Sequence, residues 1–152
     1  VLFRSSTTVS SNSSTRPMAV AERALPRHLA LGRDAEALAA QHLLAAGAKI
    51  LLQNYRRRRG ELDIVALHRG VLLVVEVRLR SSDTYGDGAA SIDRHKQRKI
   101  IAAAQQLLQQ RRDLARYPVR FDVISLSPEP AQPAKSAAWR LEWVKHAFES
   151  SR

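Results

Sequence analysis

Apolar positions along this chain change period several times, and each change marks an element. From residue 28 to 46, Leu31, Ala35, Leu38, His42 and Ala46 recur at helical spacing, Leu29, Ala40 and Leu43 widen the apolar arc, and Gly47 follows as a stop. The pattern predicts a helix. Ile50 to Leu52 reads as a short strand, and Tyr55 to Arg59 as a polar, basic connection. Leu62 to Leu67 and Val71 to Arg80 read as strands, the second opening on a Val/Leu run that suits burial on both faces. His68, Arg69 and Gly70 between them are short enough for a hairpin loop. Ser81 to Ala90, which contains Gly86 and Gly88, is expected to be a loop. Ile92 to Arg112 is expected to be a long helix whose basic first half gives way to Ala, Leu and Gln. Arg120 to Leu126 reads as a strand, 127–137 with its three prolines as a loop, and Trp139 to Val144 as a last strand before a short turn or helix.

The predicted order is α-β-β-β-α-β with a terminal β element. One mixed sheet flanked by helices is the simplest α/β arrangement that buries all these faces. Trp139 and Trp143 would face the same way on the last strand, and a core position is preferred for them over a dimer surface. Residues 1–27 are set apart as an N-terminal extension, and 28–152 as the folded domain. The first 17 residues are Ser/Thr-rich, contain no acid and lack any apolar period, so disorder is expected there. Met18, the only methionine, is a candidate start.

Composition sharpens the expected partner. Lysine and arginine number 25 against 14 acids, for a formal charge of +11. Such an excess favours polyanions, because each phosphate neutralised releases counterions. The absence of cysteine excludes disulfides, thiolate metal sites and cysteine nucleophiles, and fits a cytoplasmic protein. No apolar run reaches the ~18 residues of a membrane span, so no membrane partner is expected. The five histidines show no metal-ligand spacing.

Candidate chemistry sits on the predicted hairpin. With Arg69-Gly70 as its loop, the register puts Asp63 directly opposite Glu76, on one face and with Cβ atoms ~5 Å apart. Two carboxylates at that distance repel by roughly 3 kcal/mol at an effective dielectric of about 20. A bound cation, a shared proton or a basic neighbour would offset this. Arg78 lies two residues beyond Glu76 and points the same way, while Val75 and Val77 face the other side. An ordinary Glu–Arg ion pair at a solvated strand end explains that pair equally well. Glu36 lies in the apolar arc of the first helix, where an acid either reaches out to solvent or meets a partner.

The segments GRDAEALAAQHLLAAGAKIL, NYRRRRGELDIVAL, LLVVEVRLR, KQRKIIAAAQQLL and RFDVISL, in this order, resemble the YraN-like family of bacterial proteins. That family is similar in fold to the PD-(D/E)xK nuclease superfamily, which includes Holliday-junction resolvases and many restriction enzymes. The resemblance spans about residues 30 to 148 and implies a restriction-endonuclease-like fold with an αβββαβ core.

The resemblance also implies roles. Asp63 matches the metal-binding aspartate of the second core strand, Glu76 the acid of the ExK motif, and Glu36 the first-helix glutamate near the metal. Arg78 stands where that motif has lysine. Lys96 and Gln97 match a basic-polar pair at the start of the second helix that contacts phosphate. Glu61 is expected to shape the site rather than ligate. The implied cofactor is Mg²⁺ or Mn²⁺, which oxygen donors without cysteine suit. The expected reaction is phosphodiester hydrolysis in nucleic acid, DNA before RNA, and many such nucleases are homodimers. Arg56, Arg57, Arg58 and Arg59, with Arg80, Lys96 and Lys99, are the expected phosphate contacts, although charge runs of this kind are usually solvated loops. Arginine keeps its proton where lysine can shed one, so Arg78 puts catalysis in doubt more than binding. A non-catalytic nucleic-acid-binding module, or a partner within a DNA-processing complex, are the alternatives.

Overall fold

Two apolar runs, Gly60–His68 (β2) and Val71–Leu79 (β3), lie in the interior of a five-stranded sheet of order β1-β2-β3-β4-β5. The computed structural model describes residues 27–80, 92–128 and 139–150, with the side chains of the first helix described from Gly32 onward. Among these residues the elements are α1 (Arg27–Ala45), β1 (Lys49–Arg57), β2, β3, α2 (Arg94–Gln110), β4 (Val119–Pro128) and β5 (Trp139–Phe148). β1, β2 and β3 form an antiparallel meander, β4 runs parallel to β3, and β5 returns antiparallel to β4. The parallel pair requires a crossover, and α2 lies within it. The result is a mixed-sheet α/β fold flanked by two helices, compatible with a restriction-endonuclease-like core.

Alternation along β3 divides the core. Leu73 and Val75 join Ala35, Ala39, Ala40 and Leu43 of α1 on one face, while Leu72 and Val74 join Ile100, Ala103 and Leu107 of α2 on the other. The small residues of α1 let it lie close to the sheet. Its buried stripe is centred on Ala35, Ala39 and Leu43; His42 and Ala46, expected on the stripe, are exposed. No described helix is long and apolar enough to cross a membrane.

Two strands run longer than expected. The basic segment read as a connection continues β1 through Arg57, with Arg58 and Arg59 forming a two-residue turn before Gly60 pairs back to Arg57. β5 runs on to Phe148 through the expected terminal turn, bending at His146, whose φ is 56°. Both are edge strands with one solvated side, so polar residues extend them without an apolar period to announce it. Trp139 and Trp143 are half-buried against the α1-side core. The segments expected as an N-terminal extension and as loops over 81–90 and 129–137 lie outside the described residues.

Asp122 of β4 is fully buried. Arg120 holds it through two bonds of 2.8 Å, Trp143 Nε1 donates to it at 2.9 Å, and so does the His146 backbone N–H at 2.9 Å. The carboxylate thus satisfies the backbone where the β4–β5 register shifts between Phe121 and Val123.

Candidate active site

The β2–β3 hairpin has the expected register, with His68 opposite Val71 and Ile64 opposite Val75. Ile64 and Val75 are the last registered pair, so Asp63 and Glu76 stand at the position where the ladder ends. There Asp63 Oδ2 accepts the Val77 backbone N–H at 2.8 Å. On the other flank Asn54 of β1 lies opposite Asp63, between the pairs Gln53–Ile64 and Tyr55–Leu62. Asn54 has a φ of 52°, a left-handed conformation that asparagine tolerates better than most residues. The alternation of β2 breaks at the same point. Ile64 and Ala66 pack with α1, whereas Leu62, of the same parity, packs with the α2-side core.

Both acids are buried, Asp63 at 7% exposure and Glu76 at 9%. Burial pushes the Asp63 carboxyl up from 3.8 to about 7, with Glu76 adding to the rise and Glu36 contributing less. The Val77 N–H and the Lys96 charge act in the opposite direction. Asp63 of β2 therefore feels both Glu76 of β3 and Glu36 of α1.

Lys96, in the first turn of α2, reaches this cluster and places Nζ 3.1 Å from Glu76 Oε1. The turn is fixed by Asp93, whose Oδ1 accepts the Lys96 backbone N–H at 2.9 Å. Burial by itself would lower the Lys96 pKa, but Glu76, Asp63 and Glu61 together raise it. The second Glu76 oxygen, Oε2, is buried and has no hydrogen-bond partner. Glu36 is turned aside, its Oε2 accepting Asn54 Nδ2 at 2.7 Å. Among the described residues, no three His, Asp or Glu side chains are drawn together tightly enough to chelate a metal. Asn54 holds Glu36, and the Lys96 ammonium holds Glu76. The donor set is otherwise suited to a hard divalent cation, because it is all oxygen and includes a buried carboxylate oxygen without a partner.

Beside the carboxylates lies a basic groove of about 430 Å³, lined by the arginines 56–59, Glu61, Lys96 and Lys99. Its two walls, the β1–β2 turn and α2, meet at Gly60. A Cβ there would lie 2.7 Å from the Lys99 carbonyl oxygen, and the φ of 156° also favours glycine. Arg56 pairs with Glu61 at 3.1 Å, and the Arg57 guanidinium lies over the Tyr55 ring at 4.6 Å. Lys96 belongs to both the groove and the carboxylate cluster.

The remaining candidates are placed differently. Arg78 is exposed near the N-cap of α2. The Asp93 carboxyl there lies below its ordinary range, chiefly through the Lys96 backbone N–H, with Arg78 a smaller cause. Arg80, at the end of β3, is half-buried and donates its backbone N–H to Leu126. Gln97 directs its side-chain amide to the Ile92 carbonyl at 2.7 Å, closing the start of α2. From the sequence, Lys96 is legible only as a phosphate contact, and Asn54 carries no signal. The NxR and KQRK segments carry no local pattern that would reveal either partnership.

Comparison with known proteins agrees with the family resemblance. The family model described as "Uncharacterised protein family UPF0102" matches residues 35–126. A UPF0102 protein of Ectopseudomonas mendocina is 42% identical over 123 residues, covering 81% of this chain and 98% of that protein. Another, from Pseudomonas savastanoi pv. phaseolicola, is 43% identical over 119 residues, covering 78% and 93%. A third, from Saccharophagus degradans, is 39% identical over 124 residues, covering 82% and 97%.

Proposed function

We propose that this chain, which belongs to the UPF0102 or YraN-like family, is a metal-dependent nuclease-like protein that cleaves phosphodiester bonds of nucleic acid, with DNA the expected substrate. The observation that carries this reading is the pair of buried acids, Asp63 and Glu76, the latter with a partnerless buried oxygen, beside a groove lined by arginine and lysine. Buried like charges are costly unless a cation meets them. A groove of the opposite sign at their edge is what a phosphate backbone would follow.

Asp63, Glu76 and, after release from Asn54, Glu36 would hold Mg²⁺ or Mn²⁺. Such an ion, when bound, supplies charge stabilisation to the phosphoryl group and acidifies water. The protein's own contribution is positional. The hairpin brings Asp63 and Glu76 to the end of the β2–β3 ladder, and the Val77 N–H orients the Asp63 carboxylate. The arginine turn and Lys99 would anchor the strand on either side of the scissile bond.

The test is a cleavage screen over linear, nicked and branched DNA, and RNA, with Mn²⁺ or Mg²⁺. Metal-dependent cleavage lost in both Asp63→Ala and Glu76→Ala supports the reading. Salt-sensitive binding that these substitutions leave unchanged, with no cleavage of any substrate, favours a binding module instead. Arg78 in place of the motif lysine supports that second reading.

A further inference from the structure

Lys96 is the one side chain described that both contacts a candidate ligand and lines the groove. Its ammonium sits 3.1 Å from Glu76 Oε1, while Glu76 Oε2 on the same buried carboxylate is without a partner. A monovalent cation on a flexible stem thus neutralises one side of a site that retains an unmet acceptor. The side chain is 40% exposed, against 10% for Glu76, so it has open space to move into, and that space is the groove. An ammonium and a divalent cation on the two oxygens of one carboxylate repel each other, which weakens the hold of each.

We infer that Lys96 is the resident cation of the site: it pairs with Glu76 while no divalent ion is bound, and a divalent ion displaces its ammonium into the groove, where it takes a phosphodiester oxygen. Lys96 then brings a second basic group to the site, from α2, beside Arg78 of β3. Lysine suits this exchange because its charge is a point on a stem with four rotatable carbons, whereas a guanidinium would tend to hold the carboxylate in a two-point fork. The inference rests on the metal-dependent reading of the acids, but it makes a separate claim about which cation occupies Glu76.

The experiment is calorimetric titration of Mn²⁺ into the full chain at pH 8 and low salt, for the wild type, Lys96→Met, Lys96→Arg and, as a charge-matched control on the same helix, Arg98→Met. Amine footprinting with mass-spectrometric readout accompanies it. Lys96→Met is expected to bind Mn²⁺ about tenfold more tightly than the wild type, because no internal ion pair has to be broken. Lys96→Arg should bind no more tightly than the wild type, and Arg98→Met should match it. In the wild type, Lys96 should be less reactive than Lys99 without metal and become more reactive on adding Mn²⁺. Mn²⁺ binding by Lys96→Met alone would also support the inference, as a stronger form of the same competition. Equal affinity in wild type and Lys96→Met, with unchanged Lys96 reactivity, would overturn it and leave the metal site standing. Absence of Mn²⁺ binding from every variant would overturn both. Circular dichroism of Lys96→Met and Lys96→Arg separates misfolding from lost exchange, and if Lys96→Met does not fold, the footprint decides.

Discussion

Replacing Asp63 by asparagine should make the metal-free protein more stable, an unusual outcome for a change at a buried polar residue. The Asp63 carboxyl is held at about 7, against an ordinary 3.8, first by burial and then by the Glu76 charge. Between these two values the folded chain binds more protons than the unfolded one, so stability falls as pH rises through the window. Below about pH 4 there is no penalty, and above about pH 7 it is complete. Roughly three pH units at ~1.4 kcal/mol each set a ceiling of about 4 kcal/mol. Relaxation of the side chains and sharing of the proton with Glu76 bring the expected value to about 1–3 kcal/mol. Asparagine keeps an oxygen to accept the Val77 N–H and removes the charge.

Urea and thermal unfolding of both proteins in EDTA, from pH 4 to pH 8.5, would measure this. The variant should match the wild type near pH 4 and exceed it by about 2 kcal/mol at pH 8, a rise in Tm of roughly 5–10 °C for a domain of this size. Millimolar Mn²⁺ should narrow or reverse the order by stabilising only the wild type. A variant that is less stable at pH 8, or a difference that does not change with pH, would show that the acids are not crowded as described.

Three further substitutions probe how the site is supported. Gly60→Ala would drive a Cβ to 2.7 Å from the Lys99 carbonyl oxygen, so it should cost about 2 kcal/mol or more in urea unfolding and weaken oligonucleotide binding by displacing α2 from the arginine turn. Asp122→Ala strands the Arg120 guanidinium and the Trp143 and His146 N–H groups, and should cost about 3–5 kcal/mol; a loss under 1 kcal/mol would mean that water replaces the carboxylate. Asp93→Ala removes the N-cap of α2 and should cost about 1 kcal/mol, with faster amide exchange at Lys96 as its local signature.

Periodicity and turn chemistry determined much of this protein locally. The runs in β2 and β3, the Arg69-Gly70 turn and the acids at their far ends could be read without a structure, because hairpin register follows from loop length and the period-two pleat. The position of α1 is legible, and Ala35, Ala40 and Leu43 of its expected arc are buried, but Ala39 takes the place of His42 and Ala46, since alanine occurs on both the buried and exposed sides. The edge strands β1 and β5 were cut short, because a strand with one solvated side needs no apolar signal in its polar half. What only the tertiary structure decided was which polar and charged groups meet. Lys96 reaches Glu76, and Asn54 reaches Glu36, across gaps of 20 and 18 positions in the chain, through the packing of helices on the two faces of one sheet. Arg78, two residues from Glu76, is exposed and its charge also reaches Asp93. Strand alternation gives a side chain's face, but its partner depends on where the next layer places an opposite charge, and that is set by the packing of the whole core.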